Sequence, residues 1–189
     1  EVQDERSFPG MVHSPMNFEE WLIVSKFGSA QSNKMAIDNQ SLGLRLVPWA
    51  SVAAKLASSL DRNTIDGRAF CFLPLPTQTG LPVHVNGAFE LSSNRRDVWF
   101  GDDMAGEGLL RAQWNKVLLE DVAVPAYLRL LELSSAYMSP AHQMQLWPVK
   151  SSGGPWEWIL SGVYTKLSQE CLFWSEGSRS WVNASSSIL

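Results

Sequence analysis

Two adjacent arginines, Arg95 and Arg96, are the residues of this chain best suited to binding an anion. A guanidinium keeps its positive charge at physiological pH and carries a planar fork of N–H donors that matches phosphate oxygens. Asn94 and Asp97 enclose the pair, and both residue types favour tight turns. We therefore predict a polar loop, supported by Asn94 and Asp97, that holds a guanidinium toward a phosphate group.

A second pair of turn-forming residues, Asn86 and Gly87, ends a predicted strand just before this loop. Val83 and Val85 alternate with polar residues at the two-residue period of a strand. Because Asn and Gly both tolerate positive φ, we expect Asn86 and Gly87 to form a bend or bulge. This bend is expected to support the arginine loop.

Metal-binding and cysteine chemistry are not favoured by the sequence. His13, His84 and His142 lie far apart, and none has the spacing of a metal site, so we predict no metal ligands. Cys71 and Cys171 each lie among apolar residues and are expected to be buried thiols rather than a disulfide.

Catalytic motifs are also missing from the sequence: it has no phosphate-binding glycine loop, nucleophile elbow or dinucleotide fingerprint. Asp102, Asp103 and Glu107 form an acidic loop, but carboxylates in a glycine-rich loop are more often solvated than metal-binding. A hydrolase built on that loop is the weakest of the functions we consider. We expect the chain itself to hold no cofactor and to have no enzymatic activity.

The composition of the chain argues against nucleic acid as a binding partner. The formal net charge is -4 with 45% hydrophobic residues, typical of a folded globular domain and unfavourable for nucleic-acid binding. No apolar run approaches the length of about 20 residues that spans a membrane, and no charged start precedes an apolar core. We expect a protein that is neither inserted in a membrane nor exported.

Periodicity predicts the elements that position the arginine loop. Strands are predicted at residues 21–25, 44–56, 68–75 and 83–87, with a loop at 28–33, a bulge near Pro48, and Pro74 and Pro76 ending the third strand. Apolar residues at three- and four-residue spacing predict a long helix over 109–133 that continues past Pro125, kinked or restarted. A further helix follows Pro155, with an apolar face that comprises Trp158, Ile159, Val163 and Leu167, and a hairpin over residues 172–182 closes the chain.

The tryptophans are expected to serve the core. The chain has nine of them, and Trp21, Trp49, Trp114 and Trp158 all fall at positions of apolar periodicity. Each ring buries a large apolar area, so core packing is favoured over ligand stacking.

The sequence of residues 67–131 resembles that of the sacsin family. The resemblance is carried by four segments: Gly67-Arg68-Ala69-Phe70-Cys71-Phe72-Leu73-Pro74-Leu75-Pro76, Thr79-Gly80-Leu81-Pro82-Val83-His84-Val85-Asn86-Gly87-Ala88-Phe89, Ser92-Ser93-Asn94-Arg95-Arg96-Asp97 and Trp114-Asn115-Lys116-Val117-Leu118-Leu119-Glu120-Asp121. Sacsin-family proteins are giant and repetitive, and each repeat joins a heat-shock-protein-90-type ATPase domain to a following region. The present chain is similar to that following region.

The resemblance implies a fold and a role. The fold is α/β (α+β): a twisted, mainly antiparallel sheet backed by a long helix, like a transducer or middle domain, over residues 1–138, followed by a smaller α+β subdomain over 139–189. The role is to couple ATP and magnesium bound in the preceding domain to client proteins, chaperone partners or adjacent repeats in the cytoplasm. Arg95 and Arg96 then occupy a position analogous to the residue that contacts the terminal phosphate of ATP.

Two other interpretations remain open. The chain is alternatively an ATP-independent module that binds a peptide at the strand edge of residues 83–89. The arginines alternatively serve structure alone, one of them pairing with Asp97 or Asp121 and the other lying on the surface.

Overall fold

Five strands form one sheet among the residues that the computed structural model describes, which are 19–40, 44–56, 65–101, 105–149, 153–167, 173–175 and 177–182. The five strands are β1 (Trp21–Phe27), β2 (Trp49–Lys55), β3 (Arg68–Cys71), β4 (Leu73–Gln78) and β5 (His84–Gly87). Their order across the sheet is β1-β2-β5-β3-β4. All neighbours are antiparallel except β3 and β5, which run parallel. The predicted α+β class with a mainly antiparallel sheet is confirmed.

A long helix lies against one face of the sheet. It consists of α2 (Glu107–Leu118), a π-helical turn (Leu119–Ala123) and α3 (Val124–Ser134). Pro125 has no N–H to donate to the preceding turn, and the chain widens into the π-helical turn directly before it. The prediction of a helix that continues past Pro125 is confirmed.

The remaining described elements are three helices, one 3₁₀ turn and one hairpin. They are α1 (Ala30–Asp38), α4 (Pro140–Gln143), a 3₁₀ turn (Met144–Leu146), α5 (Trp156–Leu167), and the hairpin of β6 (Phe173–Ser175) and β7 (Ser180–Val182). The predicted tail helix and hairpin are confirmed. Buried Ile159 and Val163 of α5 belong to the same apolar cluster as the sheet and the long helix, while the division of the chain at residue 138 stays a prediction.

The core lies between the sheet and the helices. Val52 of β2, Val85 of β5 and Val83, which directly precedes β5, are fully buried. Val83 and Val85 follow the two-residue period of a strand. Trp114 and Leu118 meet them from α2 and are likewise fully buried. Among the described residues the helices pack on this face alone, so the other face of the sheet carries stacked but partly exposed rings.

Those rings correct part of the tryptophan prediction. Trp114 is in the core, but Trp21 stacks on His84 and Trp49 stacks on Phe72 on the outer face of the sheet. Trp158 is also only partly buried and lies under Lys116, whose Nζ is 5.2 Å from the ring centroid. An alternating strand pattern does not show which face a helix will cover.

Two further predictions about local structure are wrong. Residues 28–33 are not a loop, because α1 begins at Ala30. Residues 68–75 are not one buried strand but the hairpin of β3 and β4, which turns at Phe72 with a φ of 61°. Pro74 and Pro76 therefore lie within β4, at the edge of the sheet, and do not end a strand.

Candidate functional site

Arg95 and Arg96 lie on a tight loop that we call the arginine loop, residues 92–97. An isolated bridge between Leu91 and Val98 closes its base. The backbone N–H of Arg95 donates to the Ser92 carbonyl at 2.8 Å, and Arg95 adopts a left-handed φ of 56°. A left-handed conformation is costly for a long side chain, so the surrounding hydrogen bonds must hold this turn.

Asn94 and Asp97 supply several of those bonds. The Asn94 Oδ1 accepts from the Arg96 N–H at 2.9 Å and from the Ser92 hydroxyl at 2.7 Å. The Asp97 carboxylate accepts from the Thr77 hydroxyl of β4 at 2.5 Å. The loop is therefore fastened to the edge of the sheet.

A residue that sequence reasoning missed, Asn115 of α2, holds the chain at both ends of the loop. Its Oδ1 accepts from the Glu90 N–H at 2.8 Å, and its Nδ2 donates to the Glu90 and Trp99 carbonyls at 2.7 and 2.8 Å. Asn115 is fully buried, where an amide side chain without partners would be costly. Its position directly after Trp114, on a helix predicted to bury that ring, was the available sequence signal.

The guanidinium groups themselves are exposed. Arg95 and Arg96 take part in none of the ion pairs formed by the described residues. The two acids considered as partners are engaged elsewhere, Asp97 by Thr77 and Asp121 by α1. The loop thus presents two uncompensated cations on a braced turn.

Asp121 fastens α1 to the long helix. Its carboxylate accepts from the Ser32 N–H at 3.1 Å and the Ser32 hydroxyl at 2.6 Å, and also from the N–H and hydroxyl of Ser29. Desolvation is the largest single effect and alone would raise the pKa of Asp121, but these hydrogen bonds together outweigh it and lower the pKa below its usual value. Asp121 therefore caps α1 from outside the helix, because the side chain of the N-cap residue Ser29 makes no capping hydrogen bond of its own.

Asn86 and Gly87 do not contact the arginine loop through any hydrogen bond of the described residues. The Asn86 Oδ1 instead accepts from the Phe72 N–H at 3.0 Å and so supports the β3–β4 turn. Gly87 allows close packing, since a Cβ there would come within 2.9 Å of the Phe89 ring and 3.3 Å of Leu118. Both residues position strands rather than the loop itself.

A groove of about 410 Å³ adjoins the arginine loop. Its lining residues are Thr77, Asp97, Val98, Phe100, Gly153, Pro155 and Trp156. Neither arginine lines it, and its one charged lining residue is the acid Asp97. The groove is therefore unsuited to an anion, and neither arginine contributes to it.

Other titratable groups show no catalytic arrangement within the described part of the chain. No group of three or more His, Cys, Asp or Glu side chains is placed to hold a metal ion there. Of the acidic loop, Glu107 pairs with Arg111 at 2.5 Å, while Asp102 and Asp103 lie outside the described residues.

The described histidines and the described cysteine are likewise engaged in the fold. The Nδ1 of His84 accepts from the Arg68 N–H at 3.1 Å, and burial, with the Arg68 cation adding to it, lowers the pKa of His84. His142 contacts the Ser139 hydroxyl at the start of α4. Burial raises the pKa of the half-buried Cys71 thiol; His13 and Cys171 lie outside the described residues.

Comparison with known proteins gives one relative. No protein-family model matches the chain, and no solved structure matches it. Human sacsin is 37% identical over 117 residues, which cover 60% of this chain and 2% of sacsin. The chain contains a sacsin-related region. Because the chain spans so small a part of sacsin, the activity and partners of a whole sacsin-like protein are a matter of proposal.

No described helix is both long enough and apolar enough to cross a membrane.

Proposed function

We propose that this chain is a non-catalytic coupling segment of a large sacsin-like protein. In this proposal Arg95 or Arg96 contacts the terminal phosphate of ATP that a neighbouring ATPase domain binds with magnesium. The contact links the nucleotide state of that domain to adjacent repeats and to client or chaperone partners in the cytoplasm. The similarity to sacsin supports the setting, and the resemblance of residues 67–131 to the region after the ATPase domain supports the placement.

One observation carries the proposal: two exposed guanidiniums stand on a loop that is braced from three sides. Asn94 shapes the turn, Thr77 holds Asp97, and Asn115 fastens the loop's base. A donor that must meet a phosphate across a domain boundary gains from such bracing, because little of its binding energy is then lost in ordering the loop. A solvated surface arginine needs no comparable support.

The decisive experiment uses a longer protein in which this region follows its ATPase domain. Arg95→Ala and Arg96→Ala are compared separately for ATP-dependent closure, measured by fluorescence transfer between labels on the two domains. Loss of a charged donor from a desolvated phosphate contact is expected to cost about 2 to 4 kcal/mol, so one variant should lose most of its response to ATP.

The matched control is Arg45→Ala, which removes another exposed arginine outside the loop. It should close as the unmodified protein does. Normal closure by both Arg95→Ala and Arg96→Ala would reject the phosphate contact.

The isolated chain provides a second test. It lacks the backbone loop that cradles phosphates in such ATPases, so we expect it neither to hydrolyse ATP nor to bind it tightly. Calorimetric titration of the chain with magnesium and ATP measures this. Micromolar affinity for the chain alone would show that the nucleotide site was assigned to the wrong domain.

The alternative interpretation, a module that binds a peptide, requires a free strand edge at residues 83–89. Strand β5 lies in the middle of the sheet, paired with β2 on one side and β3 on the other. Residues 83–89 are therefore not a free edge. Among the described strands β1 and β4 form the two edges, and these differ in a way that bears on binding.

A further inference from the structure

The two edges of the sheet are not equally open to another strand. Strand β4 carries Pro74 and Pro76, which have no N–H to offer. Prolines at an edge discourage strand pairing, a common protection against unwanted association. Strand β1 is seven residues long and contains no proline.

The hydrogen bonds between β1 and β2 show which residues of β1 direct their backbone N–H and C=O groups toward β2. The Glu20 carbonyl accepts from the Leu56 N–H at 2.8 Å, and the Gly28 N–H donates to the Pro48 carbonyl at 2.7 Å. Because successive residues point their backbone groups to opposite sides, the even-numbered residues of β1 face β2. The odd-numbered residues therefore direct their N–H and C=O groups away from the sheet.

Those outward groups belong to Trp21, Ile23, Ser25 and Phe27. No backbone hydrogen bond from another described residue reaches them on that side. Their side chains lie on the sheet face that the helices leave uncovered, where Ile23 is 62% exposed and Phe27 is 78% exposed. The edge thus combines a row of free backbone groups with an apolar surface.

The opposite side of β1 borders a cationic groove. This groove of about 270 Å³ is lined by Lys26, Pro125, Leu128, Arg129, Glu132 and Lys166. Arg129 pairs with Glu132 at 2.5 Å, whereas Lys26 and Lys166 enter no ion pair among the described residues. The groove therefore has an excess of positive charge at the carboxyl-terminal end of β1.

The geometry points to a partner of one kind: an extended peptide, in which acidic residues alternate with apolar ones, that pairs with β1 as a sixth strand. Its backbone would satisfy the outward groups of Ile23 and Ser25. Because side chains of a strand alternate between faces, its apolar residues would meet Ile23 and Phe27 while its acids met Lys26 and Lys166. This inference goes beyond the coupling role and does not depend on the arginine loop.

A second copy of the chain fits this edge less well. Two β1 strands paired about a two-fold axis would bring both cationic grooves to one interface, and like charges brought close together oppose association. An acidic peptide would instead be attracted to the positive charges of Lys26 and Lys166. Charge complementarity therefore selects a heterologous peptide over self-pairing.

The test uses synthetic peptides of about ten residues, long enough to cover the edge. One alternates glutamate with valine and phenylalanine, and a matched peptide carries lysine in place of glutamate. Fluorescence anisotropy with the 189-residue chain should show binding of the acidic peptide and at least about tenfold weaker binding of the basic one.

Two variants place the site on β1. Ser25→Pro removes an outward N–H without touching the bonds to β2 and should weaken binding about tenfold, whereas Ser25→Ala keeps the N–H and should bind normally. Lys26→Glu should reverse the preference between the two peptides. Its control, Lys34→Glu on an exposed site of α1, makes the same change in net charge and should preserve the preference.

Thermal melts confirm that each variant is folded, and Lys26→Glu decides the matter if Ser25→Pro is not. Three outcomes would overturn the proposal: no binding of the acidic peptide at millimolar concentration, equal binding by Ser25→Pro and Ser25→Ala, or equal binding of the two peptides. A chain that forms dimers abolished by Ser25→Pro, without binding peptide, would assign the edge to self-association instead.

Discussion

Asp121 and the arginine pair show two different fates of charge in one fold. The Asp121 carboxylate is surrounded by donors from Ser29 and Ser32, so the fold uses its hydrogen-bonding capacity. The guanidiniums of Arg95 and Arg96 are left exposed although their loop is carefully held. The comparison shows that a fold can hold a backbone firmly without using the side chains on it. Asp121 accepts hydrogen bonds at the start of α1, whereas the guanidiniums of the arginine loop enter no ion pair among the described residues.

Replacement of Trp114 by alanine should give the largest effect and so set the scale for this comparison. The ring is fully buried, and its Nε1 donates to the Ala88 carbonyl at 3.0 Å. Loss of the ring should lower the free energy of unfolding by about 3 to 5 kcal/mol, measured by denaturant titration. Val117→Ala, at a half-buried position of the same helix, should cost only about 1 kcal/mol.

The control for this pair is Gln113→Ala, which changes an exposed side chain of α2. Its midpoint should match that of the unmodified chain. Equal midpoints for Trp114→Ala and Gln113→Ala would show that the buried face of the helix has been misplaced.

Asn115→Ala tests the bracing of the arginine loop directly. The change removes three hydrogen bonds and leaves the partly buried backbone groups of Glu90 and Trp99 without those partners. We expect a loss of about 2 to 3 kcal/mol and faster amide exchange at residues 92–97. Unchanged exchange there would mean that the loop holds its shape without α2.

Asp121→Asn tests the charge that the fold uses. It should lower the free energy of unfolding by about 1 to 2 kcal/mol near neutral pH, because the change removes a negative charge at the start of α1 and turns an amide NH2, which cannot accept, toward the donors of Ser29 or Ser32. The folded-state pKa of Asp121 is lowered, so its contribution is present above the ordinary carboxyl pKa and disappears as the pH falls through the folded value.

The gap between Asp121→Asn and the unmodified chain should therefore close in acid, below about pH 4. Chemical denaturation at a series of pH values follows that gap. A gap independent of pH would show that the charge is not what stabilises α1.

Arg95→Ala and Arg96→Ala should have the smallest effect on stability. An exposed guanidinium without an ion pair contributes about 0 to 1 kcal/mol, so the melting temperature of the chain should hardly change. Destabilisation comparable to that of Asp121→Asn would erase the contrast between the two sites and favour a structural role for the arginines.

How far the sequence predicts this fold depends on how local the cause is. The long helix and the alternation of β5 follow from periodicity in neighbouring residues, and both were predictable. Helix α1 was not, because its cap comes from Asp121, 92 positions after Ser29. The β3–β4 turn was not, because Phe72 takes a left-handed conformation without the usual glycine or asparagine, aided by the distant Asn86.

Contacts between distant residues also limited what could be predicted of the arginine loop. The bonds of Asn94 were predictable because a turn residue acts on its neighbours, here Ser92 and Arg96, each two positions away. The partner of the Asp97 carboxylate, Thr77, was not, because it lies 20 positions away. Asn115 was missed because its partners Glu90 and Trp99 lie 25 and 16 positions away. Proximity of that kind is decided by how a helix docks on a sheet, which residue periodicity does not specify.

The order of strands bears on how the chain acquires its structure. Strand β5 lies between β2 and β3, so it joins the antiparallel pair β1–β2 to the hairpin β3–β4, although it comes last of the five in the chain. Two-stranded units are at best marginally stable in water, so neither half should persist before β5 inserts. We therefore expect the five strands to form the sheet in one cooperative step. That step should be comparatively slow, because β5 must contact strands that are distant in the sequence. During synthesis, the sheet would remain open to mispairing until residues 84–87 have left the ribosome, which pulse-labelled hydrogen exchange on stalled chains of increasing length would reveal.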